Sequence, residues 1–537
     1  LHVAIVPNPW LPQLSNGGVR FRFAAHPDVI NVAVAGTFNS WVGDSCLLEQ
    51  IDSQTWQTIL PIAPGRHLYK YVINGEQWIV DPANPWISED AQNNSCFTVS
   101  DRGEVLIRAA SLSAEHPGDL YLRHTALPSP AWLQDAVIYQ LAVRAFAGDL
   151  LGMQQRLDYL SALGITVLWL MPLQPVGVCN RRGTLGDPYA TYDFAALDST
   201  LGDADALHAL VAAAHQRGMR VILDWTLNRS SCDNPLTVSH PEWFTRDANG
   251  QIFYAVPNRI DFAGFDFRNR ELRTYLITTM QQWIAEFDLD GLRFDDSDLT
   301  PLDFLVEIRT ALAALRPEIG LISQSYDELH HLAACDLTYE GGVREVIWQI
   351  ANRHVAADAL QRTWEAATYS FPQRALRMRW LEEKEQGRAF RYYGPALHRA
   401  AATVLLTLDG VPLVLMGQEF NEPGWQNWTS LFEPFQLDWA ACDQATFAHY
   451  QALIRLRHQH AVLRQGAVRF WPEAAGQVVG YWRGSGSERL LVVVNLSAEW
   501  VPLAADLWTD EVLYRDVSAS EMQCLAPFGS LILRAPE

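Results

Sequence analysis

Eight short apolar runs alternate with segments of helical spacing between Gln134 and Glu419, and this alternation constrains the fold more than any other feature of the chain. The runs are VIYQLAVRAF, TVLWLMP, RVILDWTLN, GLRFD, LISQS, DLTYE, LRMRWLEE and VPLVLMGQE. Strands alternating with helices signal parallel β/α units. Eight such units in about 300 residues fit a (β/α)8 barrel, whose functional groups sit where the strands end. The stretch after the third run, Arg229–Asp266, is rich in Asn, Pro and aromatics. It exceeds ordinary loop lengths and is expected to be a small insertion that shapes the cleft.

A length of 537 residues is more than one core can hold, so several domains are expected. Before the barrel, VRFRFAA, NVAVAGTF, TWQTILPI, HLYKYVI and QWIVDP alternate between turn residues, the pattern of an antiparallel β-sandwich. After it, the helix HYQALIRLRHQH leads to AVRFWP, VVGYWRG, LLVVVNL and SLILRA, a C-terminal β domain. The division is a sandwich over 1–115, a linker over 116–132, a barrel over 133–446 with its insertion at 229–266, and a β domain over 447–537.

Composition narrows the partners. Forty basic residues against 61 acidic ones, a net charge of −21, argue against nucleic acid or an anionic membrane. No run of about 18 apolar residues is present, so no membrane span is expected. The first residues lack a basic region and a small-residue cleavage site, so no signal peptide is read there. Seven scattered cysteines without a CxxC spacing form neither a disulfide framework nor a zinc site. Reduced thiols in a cytoplasmic protein are the expectation. Twenty tryptophans are many, and exposed ones stack well on flat apolar faces such as sugar rings.

The chemistry concentrates at Asp290-Gly291-Leu292-Arg293-Phe294-Asp295-Asp296. Side chains alternate along a strand, so Arg293 and Asp295 project to one side. A guanidinium there keeps the carboxylate ionised and oriented, as a nucleophile at the rim of a barrel needs.

With DWTLN, GLRFD, the PYATYDFAALDSTLGD stretch and LDGVPLVLMGQEF in this order, the chain resembles glycoside hydrolase family 13, the α-amylase family. GTFNSW followed by PGRHLYKYVINGEQWIVDP resembles the glycogen-binding-like sandwich modules that precede many α-glucan enzymes. There Trp41, Trp56 and Trp78 either stack on glucan or belong to the core. The family resemblance implies an α-linked oligo- or polysaccharide partner and a retaining two-carboxylate mechanism. It implies Asp295 as nucleophile with Arg293 as its partner, Asp224 and Asn228 as supporting residues, and Tyr189 under the reacting sugar. No metal is expected to be required, although Asn228 matches a residue that ligates calcium in some members.

The chain departs from the family pattern around this site. Gln324 stands where the family has its acid, and a carboxamide cannot exchange that proton. Lys384 replaces a histidine, Arg229 replaces another, and Glu385 stands for an aspartate. One extra methylene shifts a carboxylate by about an ångström, which can cost roughly a hundredfold in rate. A single near-isosteric Glu-to-Gln exchange accounts for Gln324 alone, not for the other three. Two readings follow: a hydrolase or transglycosylase acting through Asp295, and a catalytically impaired α-glucan-binding relative.

Overall fold

The computed structural model describes residues 10–25, 29–84, 86–88, 94–99, 105–107, 125–256, 258–471, 476–485, 488–503, 511–516 and 524–534. They form two compact units, residues 1–126 with 362–374 and residues 127–361 with 375–537. Residues 116–124 of the expected linker, and residues 1–9, where no signal peptide was read, lie outside the described residues.

In the first unit, alternation in GVRFRFA turns Val19, Phe21 and Phe23 inward and the residues between them outward. Two antiparallel sheets enclose the core. One pairs Gly18–Ala24 with Gln13–Ser15 and Thr55–Leu60; the other is built on the long strand Gly65–Ile73, flanked by Val32–Gly36 and Ser95–Val99. Tyr69, Tyr71, Phe97 and Trp56 fill the space between them. Trp56 is therefore a core residue. Trp41 is half-buried and Trp78 is 43% exposed, with ring centroids 6.4 Å apart.

The second unit holds the closed barrel, with parallel strands at Ile138–Leu141, Val167–Leu170, Arg220–Thr226, Gly291–Asp295, Gly320–Ser323, Leu337–Tyr339, Leu376–Trp380 and Val411–Leu415. These strands are buried on both faces, which is why they read as near-continuous apolar runs. At Gly291 a Cβ would fall 2.4 Å from the Gly320 carbonyl oxygen, so only glycine lets the fourth and fifth strands approach this closely. Helix starts are chemically marked. Asp203 accepts from the Ala206 amide before Ala204–Gln216, and Asn269 accepts from the Glu271 and Leu272 amides before Arg270–Phe287. The insertion begins as a two-stranded ribbon, with Arg229–Ser231 antiparallel to Phe262–Gly264.

Beyond the helix Gln444–Gln459, a five-stranded antiparallel sheet is built on Val478–Ser485, Glu488–Asn495 and Ser530–Arg534. Two buried arginines, Arg457 of that helix and Arg483 of the sheet, converge on the end of a barrel helix. Arg457 donates to the carbonyls of Leu406, Leu408, Leu463 and Gly410, and Arg483 to those of Thr407, Leu463 and Gly466. Leu406 and Thr407 end the helix Pro395–Thr407, whose terminal carbonyls have no partners within the helix. Among the described residues, no helix is long and apolar enough to cross a membrane.

Candidate active site

The C-terminal ends of the barrel strands bring the expected residues together. Asp224 comes from the third strand, Arg293 and Asp295 from the fourth, and Gln324 directly follows the fifth. Lys384 and Glu385 lie just past the seventh, and Tyr189 sits in the loop after the second.

Arg293 is fully buried and joins two carboxylates. One of its nitrogens donates to Asp295 Oδ1 at 2.5 Å and to Asp224 Oδ1 at 2.8 Å, and the other to the Tyr339 hydroxyl at 2.9 Å. Its guanidinium lies 5.0 Å from the centre of the Trp169 ring. Asp224 Oδ2 accepts from the Tyr189 hydroxyl at 2.7 Å and from Trp169 Nε1 at 3.0 Å. Every oxygen of this inner group has a donor, as a buried carboxylate requires.

Two further cations reach the same aspartate. Arg229 donates to Asp295 Oδ2 at 2.5 Å and to Asp296 Oδ2 at 2.8 Å, with its guanidinium 4.5 Å from the Phe262 ring centre. Lys384 Nζ lies 3.1 Å from Asp295 Oδ1, 2.5 Å from Glu385 Oε1 and 4.2 Å from the centre of the Tyr189 ring. Asp295 is 2% exposed, and Arg229 and Lys384 are as deeply buried. Burial alone would raise the Asp295 carboxyl, but Lys384, Arg293 and Arg229 hold it well below the ordinary range. The same contacts raise Lys384 against the pull of its own burial, chiefly through Asp295 and then Glu385.

A carboxylate offers about four lone-pair sites. Arg293 takes one on Oδ1, beside which the Lys384 ammonium also lies, and Arg229 takes one on Oδ2. One face of the Tyr189 ring is covered by the Lys384 ammonium. Glu385 meets Lys384 rather than Asp295 directly. Asn228 donates to the Asp296 carbonyl at 2.7 Å, and its own amide oxygen accepts from Arg229 at 2.8 Å. Gln324 uses its side-chain oxygen to accept the Asp296 backbone amide at 3.0 Å. That bond holds Asp296 in the left-handed turn, φ 44°, which aims its carboxylate at Arg229.

The sequence reading missed three members. Trp169 and Tyr339 pack around Arg293, and only their inward positions on neighbouring strands mark them. Glu383 is fully buried next to Lys384, and burial and then the Glu385 charge push its carboxyl up to about 7. One of its oxygens accepts from the Glu385 amide.

Comparison with known proteins gives this arrangement its context. Residues 95–242 match the model for the α-amylase catalytic domain, and residues 19–102 match the model for the glycogen recognition site of AMP-activated protein kinase. The chain is 27% identical over 432 residues to α-amylase MalA of Haloarcula japonica, a match covering 76% of this chain and 61% of that protein. The fold superposes on maltogenic α-amylase AmyB of Thermotoga neapolitana with a TM-score of 0.66 at 28% identity, covering 75% of this chain and 97% of that one. Sequence and fold alike resemble the α-amylase family, through residues 95–242 above all. A cyclomaltodextrinase from Bacillus sp is 25% identical over 68% of this chain and 73% of the relative. An α-amylase from Lactobacillus plantarum superposes with a TM-score of 0.65 at 26% identity, over 75% of this chain and 99% of that one.

Proposed function

We propose that this chain is an α-glucan-directed member of the α-amylase family in which cleavage at the barrel centre is suppressed. The observation that carries the reading is the clamp of Arg229, Arg293 and Lys384 on Asp295. Nucleophilic attack needs a carboxylate oxygen free to meet the anomeric carbon, and departure of the leaving oxygen needs an acid. Three cations crowd the first, with Arg293 and Lys384 on Oδ1 and Arg229 on Oδ2, and Gln324 replaces the second while bonded to the backbone. Relatives named as amylases and cyclomaltodextrinases support the substrate class, and the match to a glycogen recognition site supports glucan binding by residues 1–115. The half-exposed Trp41 and Trp78 offer the surface for stacking. No metal enters this proposal: a cation at the Asn228 oxygen would lie against the Arg229 guanidinium.

The test measures two quantities on one preparation. Titration calorimetry with a maltooligosaccharide is expected to report binding, while reducing-sugar release stays at background. Gln324→Glu alone is expected to leave release unchanged. The triple variant Gln324→Glu, Arg229→His, Lys384→His is expected to raise it by roughly 10²–10⁴-fold, the usual contribution of acid/base catalysis. Rapid release by the unaltered chain, or absence of binding, overturns the proposal. The retained Asp295–Arg293–Asp224 group and the Glu383 carboxyl, pushed up to about 7, favour a second reading, a retaining enzyme with Glu383 as its acid. Its mark is a rate limb near pH 7 that disappears in Glu383→Gln.

A further inference from the structure

We infer that Cys179 and Cys232 are a thiol pair that closes into a disulfide, tethering the loop after the second barrel strand to the insertion after the third. The inference does not depend on the glucan reading. The two residues are 53 positions apart in the chain, yet the Cys232 thiol donates to the Cys179 carbonyl oxygen at 3.4 Å.

The surrounding backbone is built for this approach. Asp233 Oδ2 accepts from the Val178 amide at 2.8 Å and the Cys179 amide at 2.9 Å. Gly177 gives its amide to the Ala190 carbonyl. A Cβ at Gly177 would fall 2.4 Å from both Ser231 Cβ and Asp233 Oδ1, so only glycine allows the two segments to lie this close. The Cys232 amide is fixed by the Asp261 carbonyl. Asn180 donates to Cys232 Sγ at 3.6 Å and to the Ile260 carbonyl at 3.0 Å, adding a second link between loop and insertion.

The pair is asymmetric in the way thiol–disulfide exchange uses. Cys179 is exposed and Cys232 half-buried. Burial first, and then the charge and hydrogen bond of Cys179, push the Cys232 thiol up to about 11. The oxidant is a low-molecular-weight disulfide such as glutathione disulfide. The Cys179 thiolate attacks one of its sulfurs and expels one glutathione thiolate. The Cys232 thiolate, with the Asn180 amide beside its sulfur, then attacks Cys179 Sγ of the mixed disulfide and expels the second. The protein loses two electrons and two protons, and the oxidant leaves as two thiols. Cys232 directly follows the strand Arg229–Ser231, so the closed bond fixes the strand that carries Arg229 into the centre.

The experiment incubates the whole chain with glutathione disulfide, then blocks remaining thiols and maps peptides by mass. The expected product is a reductant-sensitive cross-link between the peptides carrying Cys179 and Cys232, with the intact protein lighter by two hydrogens. Hydrogen exchange across 229–234 is expected to slow in the oxidised form. Cys179→Ser and Cys232→Ser, each checked for native circular dichroism, are expected to lose the cross-link and the change in exchange. A stable glutathione adduct on Cys179, pairing of either residue with another cysteine, or two unmodified thiols overturns the inference.

Discussion

An aspartate held by one arginine and an aspartate held by three cations respond differently to removal. In the second case the carboxylate is what makes three buried positive charges tolerable. Asp295→Asn leaves Arg229 with Asp296, Arg293 with Asp224, and Lys384 with Glu385, so neutralisation is partial. Breaking a buried ion pair costs about 3–5 kcal/mol, and the remaining partners put this change at about 3 kcal/mol. A clear fall in the urea midpoint, followed by tryptophan fluorescence, is the expected outcome. An unchanged or raised midpoint would mean that the clamp does not stabilise the fold. The Arg293–Asp295 pair was legible in the sequence, because period-two alternation needs nothing but the strand. Arg229 and Lys384 were legible as departures from the family, but not as partners of Asp295. They arrive from separate strand ends, and only closure of the barrel brings them to one carboxylate.

At the level of elements, each strand end carries its own electrostatics. Glu419, just past the eighth strand, accepts from the Tyr139 hydroxyl at 2.8 Å and the Tyr159 hydroxyl at 2.6 Å. Burial chiefly pushes this carboxyl from its ordinary 4.5 up to about 7. A raised acid is protonated in both states below 4.5, and between 4.5 and 7 only the unfolded chain releases the proton. Its contribution is therefore complete at acid pH and is lost as pH rises through that window, by about 3 kcal/mol at most. Glu419→Gln is expected to match the unaltered chain near pH 4.5 and to melt higher at pH 8. Equal melting at both values would remove Glu419 from the account. In the N-terminal sandwich, Trp56→Ala is expected to destabilise that unit by about 3–5 kcal/mol, the cost of emptying a buried aromatic site. Trp78→Ala is expected to leave the melting temperature unchanged and to weaken retardation in a glycogen-containing native gel. The eight barrel strands could be read because their apolar runs are short and separated by helices. The separate fates of Trp56 and Trp78 could not, because both lie in alternating runs and only the packing of the two sheets decides which face is covered.

For the barrel with its C-terminal sheet, stability depends on a joint made of arginines and carbonyls. Among the described residues, the hydrogen bonds of Arg457 and Arg483 go to carbonyls, and burial lowers the two groups to about 9 and about 10 against the opposing charge of Asp409. Their charge is met by carbonyl dipoles at a helix end, where a cation is favoured. Arg483→Met removes the donors to Thr407, Leu463 and Gly466; Leu463 keeps Arg457, while the buried Thr407 carbonyl and the part-buried Gly466 carbonyl lose theirs. Each unsatisfied group costs about 1–3 kcal/mol, so a large drop in melting temperature is expected, with barrel and sheet unfolding in one calorimetric transition. Two separated transitions in the unaltered chain would show that the joint does not couple them. Nothing in the sequence marks this joint, since an arginine in a strand reads as solvent-facing until the element that buries it is known.

The clamp also governs how this chain can change by mutation. Removing Lys384 or Arg229 alone subtracts a positive charge from a dry, balanced cluster, and adding a glutamate at 324 alone inserts a negative one beside Asp296. Neighbouring changes of this kind are not additive. On the proposed reading, each single step toward a cleaving centre is expected to lower stability before turnover appears. Screened for reducing-sugar release, a library of single substitutions is expected to yield no active variant, whereas a combinatorial library at 229, 324, 384 and 385 is expected to yield one. The cluster would then act as a ratchet in sequence space, one that single changes do not release.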